Sequence, residues 1–325
     1  NFTTATDSYN TAVGYEAGTA VTTGIDNTLI GGLAGDALTT GGNNTVLGKQ
    51  ALSADTKGGT AVAIGQLALG AQNFTTATDN YNVAVGYSAG IGVTTGLRNT
   101  LIGGLAGDAL TDADSNVAVG ANALGADTLG SKSIAIGQGA LFNQNFTTAT
   151  DSHNVAIGHE TGLNVSTGVN STLIGGLAGD AITTANNNVA VGKSALSTET
   201  SGANCTAIGT FALTTQNVGS GTNVANTAVG YDAGLAVTTG VQNTFVGAYA
   251  GDATDDGTSN TAVGYLALSA NCGNENTAVG KEAGTAITGT LNTVMGVAAG
   301  LSITSGGGNT VIGHDAGREG TDLAS

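Results

Sequence analysis

Apolar and polar positions alternate along this chain in very short runs. One pattern recurs throughout: Asn-Thr-Ala-Val-Gly, two variable residues, then Ala followed by Gly or Leu. Its glycines are Gly14, Gly31, Gly48, Gly65, Gly86, Gly103, Gly120, Gly137, Gly158, Gly175, Gly192, Gly209, Gly230, Gly247, Gly264, Gly280, Gly296 and Gly313, which makes eighteen units. They are spaced 17, 17, 17 and 21 residues apart three times over, then 17, 17, 16, 16 and 17. A four-coil super-repeat of 72 residues is thus superimposed, with the four extra residues in Asn73–Asp79, which recurs at Asn145–Asp151 and at Asn1–Asp7. Such a period is too short for a pair of helices and fits one solenoid coil of two short strands and two turns. The expected fold is therefore all-β: a parallel β-solenoid (β-roll) of about 18 coils of 16–21 residues. Residues 1–9 are the tail of an insertion, 10–317 the repeats and 318–325 an irregular end, all in one domain over 1–325. At about 4.8 Å per coil, eighteen coils predict a length of roughly 86 Å.

Side chains alternate across a strand, so the unit can be read face by face. The residue before the glycine is always aliphatic (Val13, Ile30, Leu47, Met295), and the one before that is Ala, Leu, Val or Phe. Both faces are apolar, and strands of that kind are normally buried on both sides. One face fills the coil; the other needs cover from outside, and Leu29, Leu101, Leu173 and Phe245 are its expected bulky members. Together with Phe2, Phe74 and Phe146, which the insertions carry on one side every four coils, they form the expected interchain or receptor contact. Scattered exposed apolar residues are the alternative, because they are common on ordinary surfaces.

Ala follows three residues after the glycine in every unit but one, where Thr161 replaces it. The next position runs Gly, Gly, Leu, Leu (Gly18, Gly35, Leu52, Leu69). Glycine there permits a left-handed turn, and leucine is expected to point inward. Val21, Leu38, Val93, Leu110, Val165, Ile182 and Val237 form a second apolar column, with an outward Thr column (Thr22, Thr39, Thr56, Thr94) beside it. Asn opens fourteen of the eighteen units, placed to hydrogen-bond from coil to coil.

Composition sharpens this picture. There are 55 Gly, no Pro and no Trp, and charged residues make up only 9% against a normal 40% of hydrophobic ones, so small residues must do the packing. A net charge of −16 with seven Lys and Arg argues against binding nucleic acid or an anionic membrane surface, which need a basic patch. No apolar run reaches a membrane span and no signal segment opens the chain, whose first residue, Asn, suggests a processed or partial protein. Cys205 and Cys272 lie about three coils apart, roughly 14 Å, beyond the reach of a disulfide.

The units Asn82-Val83-Ala84-Val85-Gly86-Tyr87-Ser88-Ala89 and Ser133-Ile134-Ala135-Ile136-Gly137-Gln138-Gly139-Ala140 resemble the head repeat of trimeric autotransporter adhesins. They are also similar to the Asn-Thr-Ala-Val-Gly-Tyr repeats of phage tail fibres and related surface fibre proteins. The resemblance covers nearly the whole chain, although the coils here are longer than the adhesin's. It implies a parallel β-roll, three chains side by side as a homotrimer, and a role as a fibre shaft or adhesive head outside the cell or on a virion, with a cell-surface receptor or glycan as the partner.

Candidate chemistry is sparse. His153, His159 and His314 are scattered, and two occupy a slot that Tyr, Gly or Lys fills elsewhere, so no nucleophile and base converge and no enzyme is expected. Stretches such as Gly31-Gly32-Leu33-Ala34-Gly35-Asp36 recur as turns and lack the Lys-Ser and helix of a phosphate loop. Asp36, Asp108, Asp180 and Asp252 form one column and Asp7, Asp79 and Asp151 another. Calcium would take such oxygens, but column members stand about 19 Å apart, so turn-stabilising Asp is the expectation and no cofactor is assigned. Two rival functions keep the same fold: an ice-binding solenoid using the Thr column, and single solenoids stacked end to end into a filament; a chain beginning at Asn1 without a recognisable cap favours either that stacking or a longer parent protein.

Overall fold

The computed structural model describes residues 6–219 and 223–318, so Phe2 lies outside the described residues. The fold is an all-β parallel β-solenoid of about eighteen coils, and no helix occurs among the described residues. The chain divides into two compact units, Asn1–Thr167 and Gly168–Ser325. Each carries nine three-residue strands, from Thr11–Val13 to Val155–Ile157 in the first unit and from Thr172–Ile174 to Thr310–Ile312 in the second.

Register is in step from coil to coil within each unit. In the first, Ala84 sits over Leu101 and Leu101 over Ala118; in the second, Ala228 over Phe245 and Phe245 over Ala262. Two short strands in the first unit, Thr78–Asp79 and Thr150–Asp151, pair with Gly58–Gly59 and Gly130–Ser131, so both insertions there add strands of their own.

The glycine that ends each strand is dictated by stacking. Gly14 and Gly31 both have φ +136°, and a Cβ on either would stand 2.5 Å from the carbonyl oxygen of the glycine one coil on. Only glycine tolerates that combination.

Burial settles which face is which. Leu29, Leu101, Leu173 and Phe245 are at most 1% exposed, inside their own coils. This corrects the expectation that they form the outward face. Room for them comes from the turn glycines: a Cβ at Gly90 would meet Leu101 at 2.5 Å and one at Gly107 would meet it at 2.7 Å, so one leucine fills the space vacated in two successive coils. In the other two coils of a set the bulk moves to the turn. Leu52, Leu69, Leu124 and Leu141 are fully buried there, as expected, and hold the same left-handed φ as the glycines they replace, 50–55°. Burying a leucine is worth about 1.5–3 kcal/mol, enough to offset a left-handed cost of roughly 1–2 kcal/mol.

The second apolar column is buried at Leu38, Val93, Leu110, Val165, Ile182 and Val237. The Asn column is a largely buried ladder, interrupted at Ala61, Ser133, Ser171 and Cys205: Asn10 accepts from the backbone N–H of Asn27 (2.8 Å), and Asn27 donates from Nδ2 to the carbonyl of Gly41 (3.0 Å). The second unit repeats this at Asn226, Asn243 and Gly257 (2.7 and 2.8 Å).

Candidate interaction face

With the middle residue of each strand turned inward, the first and third residues face out. In the first unit the third-residue column runs Val13, Ile30, Leu47, Ile64, Val85, Ile102, Val119, Ile136, Ile157, and the first-residue column is Thr, Val or Ile throughout. The second unit repeats the arrangement up to Met295 and Ile312. No charged residue lies in either column. Exposure is 57% at Val13, 46% at Leu47 and 38% at Ile102, so this is a contiguous apolar strip rather than scattered side chains. The signal for it was in the sequence, since the pre-glycine position is more uniformly aliphatic than the one before it.

The insertions are anchored from within. Phe74 and Phe146 are 6% and 5% exposed, which corrects their assignment as contact residues: in the single chain their rings are packed inside. Beneath each lies a buried polar network that the sequence reading missed. Asp127 accepts from the N–H groups of Gly130 (3.0 Å) and Phe146 (3.1 Å) and from Nε2 of Gln144 (2.6 Å), while Gln144 Oε1 accepts from Asn154 (2.9 Å). Asp55, Gln72 and Asn82 make the same set one super-repeat earlier. In the second unit Glu199, Gln216 and Asn226 replace them. Burial raises the Asp127 pKa, and the hydrogen bonds from Gln144 and the backbone only partly oppose it.

The Thr column points lengthwise. Thr22, Thr39, Thr94 and Thr111 each donate Oγ1 to the carbonyl of the Thr one coil on, at 2.8–3.1 Å, so these hydroxyl protons are engaged within the chain.

Of the aspartates, Asp7 accepts from Tyr9 (3.2 Å), Asp151 pairs with Lys132 (2.5 Å), and Asp79 lines a recess of about 210 Å³ with Thr40, Asn43, Lys57 and Thr78. In the other column Oδ1 of Asp36 and of Asp252 is buried without a hydrogen-bond partner, and desolvation raises the pKa of Asp108 and Asp252. No group of three or more His, Cys, Asp or Glu stands together among the described residues. The histidines are exposed and lie beside acids of their own turns at most, His159 by Glu160 (3.9 Å) and His314 by Asp315 (3.2 Å). Cys205 and Cys272 are free and buried, and burial pushes the Cys205 thiol up to about 11. No helix among the described residues is long and apolar enough to cross a membrane.

Asp252 gives a pH prediction. Its folded-state pKa lies above the unfolded value, so the fold disfavours the ionised form. Stability from this group therefore rises as pH falls from neutral through the raised value, and levels off below the unfolded value near 3.8. Asp252→Asn is expected to stabilise the fold by a few tenths of a kcal/mol at pH 7 after solvent screening, seen as a small rise in melting temperature, and to make no difference at pH 3. Calorimetry at the two pH values checks this; a lower melting temperature at pH 7 would show that the carboxylate supports its turn.

No protein-family model matches the chain, and no curated protein matches it.

Proposed function

We propose that this chain is a structural segment of an extracellular or virion fibre, without enzymatic activity, in which copies lie side by side with their outward strand columns in contact. The observation that carries the reading is the uncharged aliphatic strip that continues through nine coils of each unit. A sheet apolar on both faces needs cover. A partner that stays in register over many coils must repeat at the same spacing, and a second copy of this chain does so by construction. The resemblance to trimeric adhesin heads and tail-fibre repeats favours three copies, placed outside the cell or on a virion, where adhesion to a receptor is a further role.

The native mass by light scattering at several concentrations tests this. A fixed mass near three times 31.2 kDa is expected, and Ile102→Asp with Ile136→Asp should reduce it to one chain, since each buried unpaired charge costs several kcal/mol. A single-chain mass at every concentration would sink the proposal, and a mass that grows without limit would replace it with end-to-end stacking.

One observation favours a second reading. In the second unit the first-residue column holds seven consecutive threonines, Thr206, Thr227, Thr244, Thr261, Thr277, Thr293 and Thr310, beside the aliphatic column. A flat rank of that kind suits ordered water, unlike the Thr22 column, whose protons are engaged. A monomer that shows thermal hysteresis would establish ice binding in place of the fibre.

A further inference from the structure

Four consecutive coils of the second unit carry an aromatic residue just beyond the strand, alternately two residues and one residue after the glycine: Phe211, Tyr231, Tyr249 and Tyr265. Each ring meets the next edge to face, with centroids 6.4, 5.4 and 5.9 Å apart and planes 73°, 75° and 89° from parallel. Nζ of Lys193 stands 5.8 Å over Phe211 at one end. Elsewhere these slots hold isolated tyrosines, such as Tyr15 and Tyr87.

Mutual packing accounts for the half-buried Phe211 and Tyr249, since edge-to-face pairs stabilise by about 0.5–1.5 kcal/mol each. It does not account for Tyr231 and Tyr265, which remain 46% exposed, two coils apart, each nearly perpendicular to Tyr249.

We propose that this ladder is a binding track for an extended, neutral, β-1,4-linked hexopyranose chain lying along the coil stack, with Tyr231 and Tyr265 as the stacking platforms. A pyranose presents a face of polarised C–H bonds that matches the negative face of an aromatic ring, and its rim of hydroxyls can reach phenol and carboxylate groups. In a β-1,4-linked chain successive sugars turn over, so every second one offers the same face. That alternation is the alternation of exposed and half-buried rings here, and the advance per sugar is close to the coil rise of about 4.8 Å.

Charge favours a neutral chain: Asp232 and Asp252 act on the ladder, Lys193 stands only at its Phe211 end, and the protein's net charge of −16 repels polyanions. A polyproline II helix repeats at a similar distance, about 9.3 Å per three-residue turn, but a proline-rich face offers no hydroxyls to donate to the carboxylates beside the ladder, so decaproline is the competing occupant in the test. The track lies within one chain, so it stands or falls independently of self-association.

The test is titration of the full chain with cellohexaose, followed by calorimetry and by tyrosine fluorescence, which no tryptophan obscures. Saturable binding is expected. It should weaken about tenfold or more in Y231A/Y265A, stay within about threefold in Y231F/Y265F, which keeps the rings, and be unchanged in Y15A/Y87A. Maltohexaose, whose α-1,4 links coil the chain, should bind at least about tenfold more weakly. Absence of saturable cellohexaose binding, equal binding of maltohexaose, tighter binding of a decaproline peptide, or full affinity in Y231A/Y265A would each overturn the proposal.

Discussion

Gly120→Ala is expected to open the solenoid locally, at a cost of about 3–5 kcal/mol, whereas Gly104→Ala should change stability by no more than about 0.5 kcal/mol. At Gly120 φ is +136°, and a Cβ would lie 2.6 Å from the carbonyl carbon and oxygen of Gly137 and 3.0 Å from the amide of Gln138. Those atoms belong to backbone held by the next coil, with Gly137 N donating to Val119 O at 2.7 Å, so no side chain can swing away. Gly104 has nothing within 4 Å of its Cβ position, and Ala121 fills the same slot one coil later. In a stacked-repeat protein such a penalty falls on the interfaces with the neighbouring coils and does not spread evenly. Hydrogen exchange is therefore the measurement, with the amides of Gly137 and Gly120 losing protection while distant coils keep theirs. Equal effects of the two substitutions would show that coil stacking does not require the glycine.

Period, coil number, parallel strands and the invariant glycine were legible in the sequence because each follows from repetition alone. The assignment of faces was not. Leu29 and Phe245 look like members of an outward face, yet the bulk in one column is matched by its absence in another: Leu101 lies against Gly90 and Gly107, and Phe245 against Gly234 and Gly251. Alternation within a three-residue strand cannot tell inside from outside. The covariation of a large strand residue with turn glycines in its own and the preceding coil can, and it was present in the chain. The buried carboxylates were hidden for a related reason. The second apolar column reads Val93, Leu110, Asp127, Gln144 in successive coils, and the last two look like loop residues until their coil positions are aligned with the first two. Exposed ring area at Tyr231 and Tyr265 depends on neighbouring coils and has no signature in a single repeat.

Gln144→Leu should be among the more destabilising single changes to the first unit, about 2–3 kcal/mol at pH 7.5. It removes the side-chain donor to the buried Asp127 carboxylate and also the side-chain acceptor of Asn154 Nδ2, which donates to Gln144 Oε1 at 2.9 Å. The same glutamine donates to Ser133 Oγ (2.8 Å), so three residues lose a partner at once. Because the Gln144 bond opposes the desolvation that raises the Asp127 pKa, its loss moves that pKa further up. The destabilisation should therefore shrink as pH falls through the raised pKa, where protonation relieves the under-compensated charge, a dependence opposite in sign to ordinary acid weakening of paired carboxylates. Asp127→Leu with Gln144→Leu writes the Val93–Leu110 pattern into these two coils. Removing both polar partners costs less than leaving one buried and unpaired, so the double variant should be more stable than Gln144→Leu alone, with a coupling of about 2 kcal/mol. Exchange of the Gly130 and Phe146 amides, which donate to Asp127 at 3.0 and 3.1 Å, reports both effects. A Gln144→Leu penalty that is independent of pH and additive with Asp127→Leu would mean that packing of Phe146, rather than the carboxylate network, holds the insertion down.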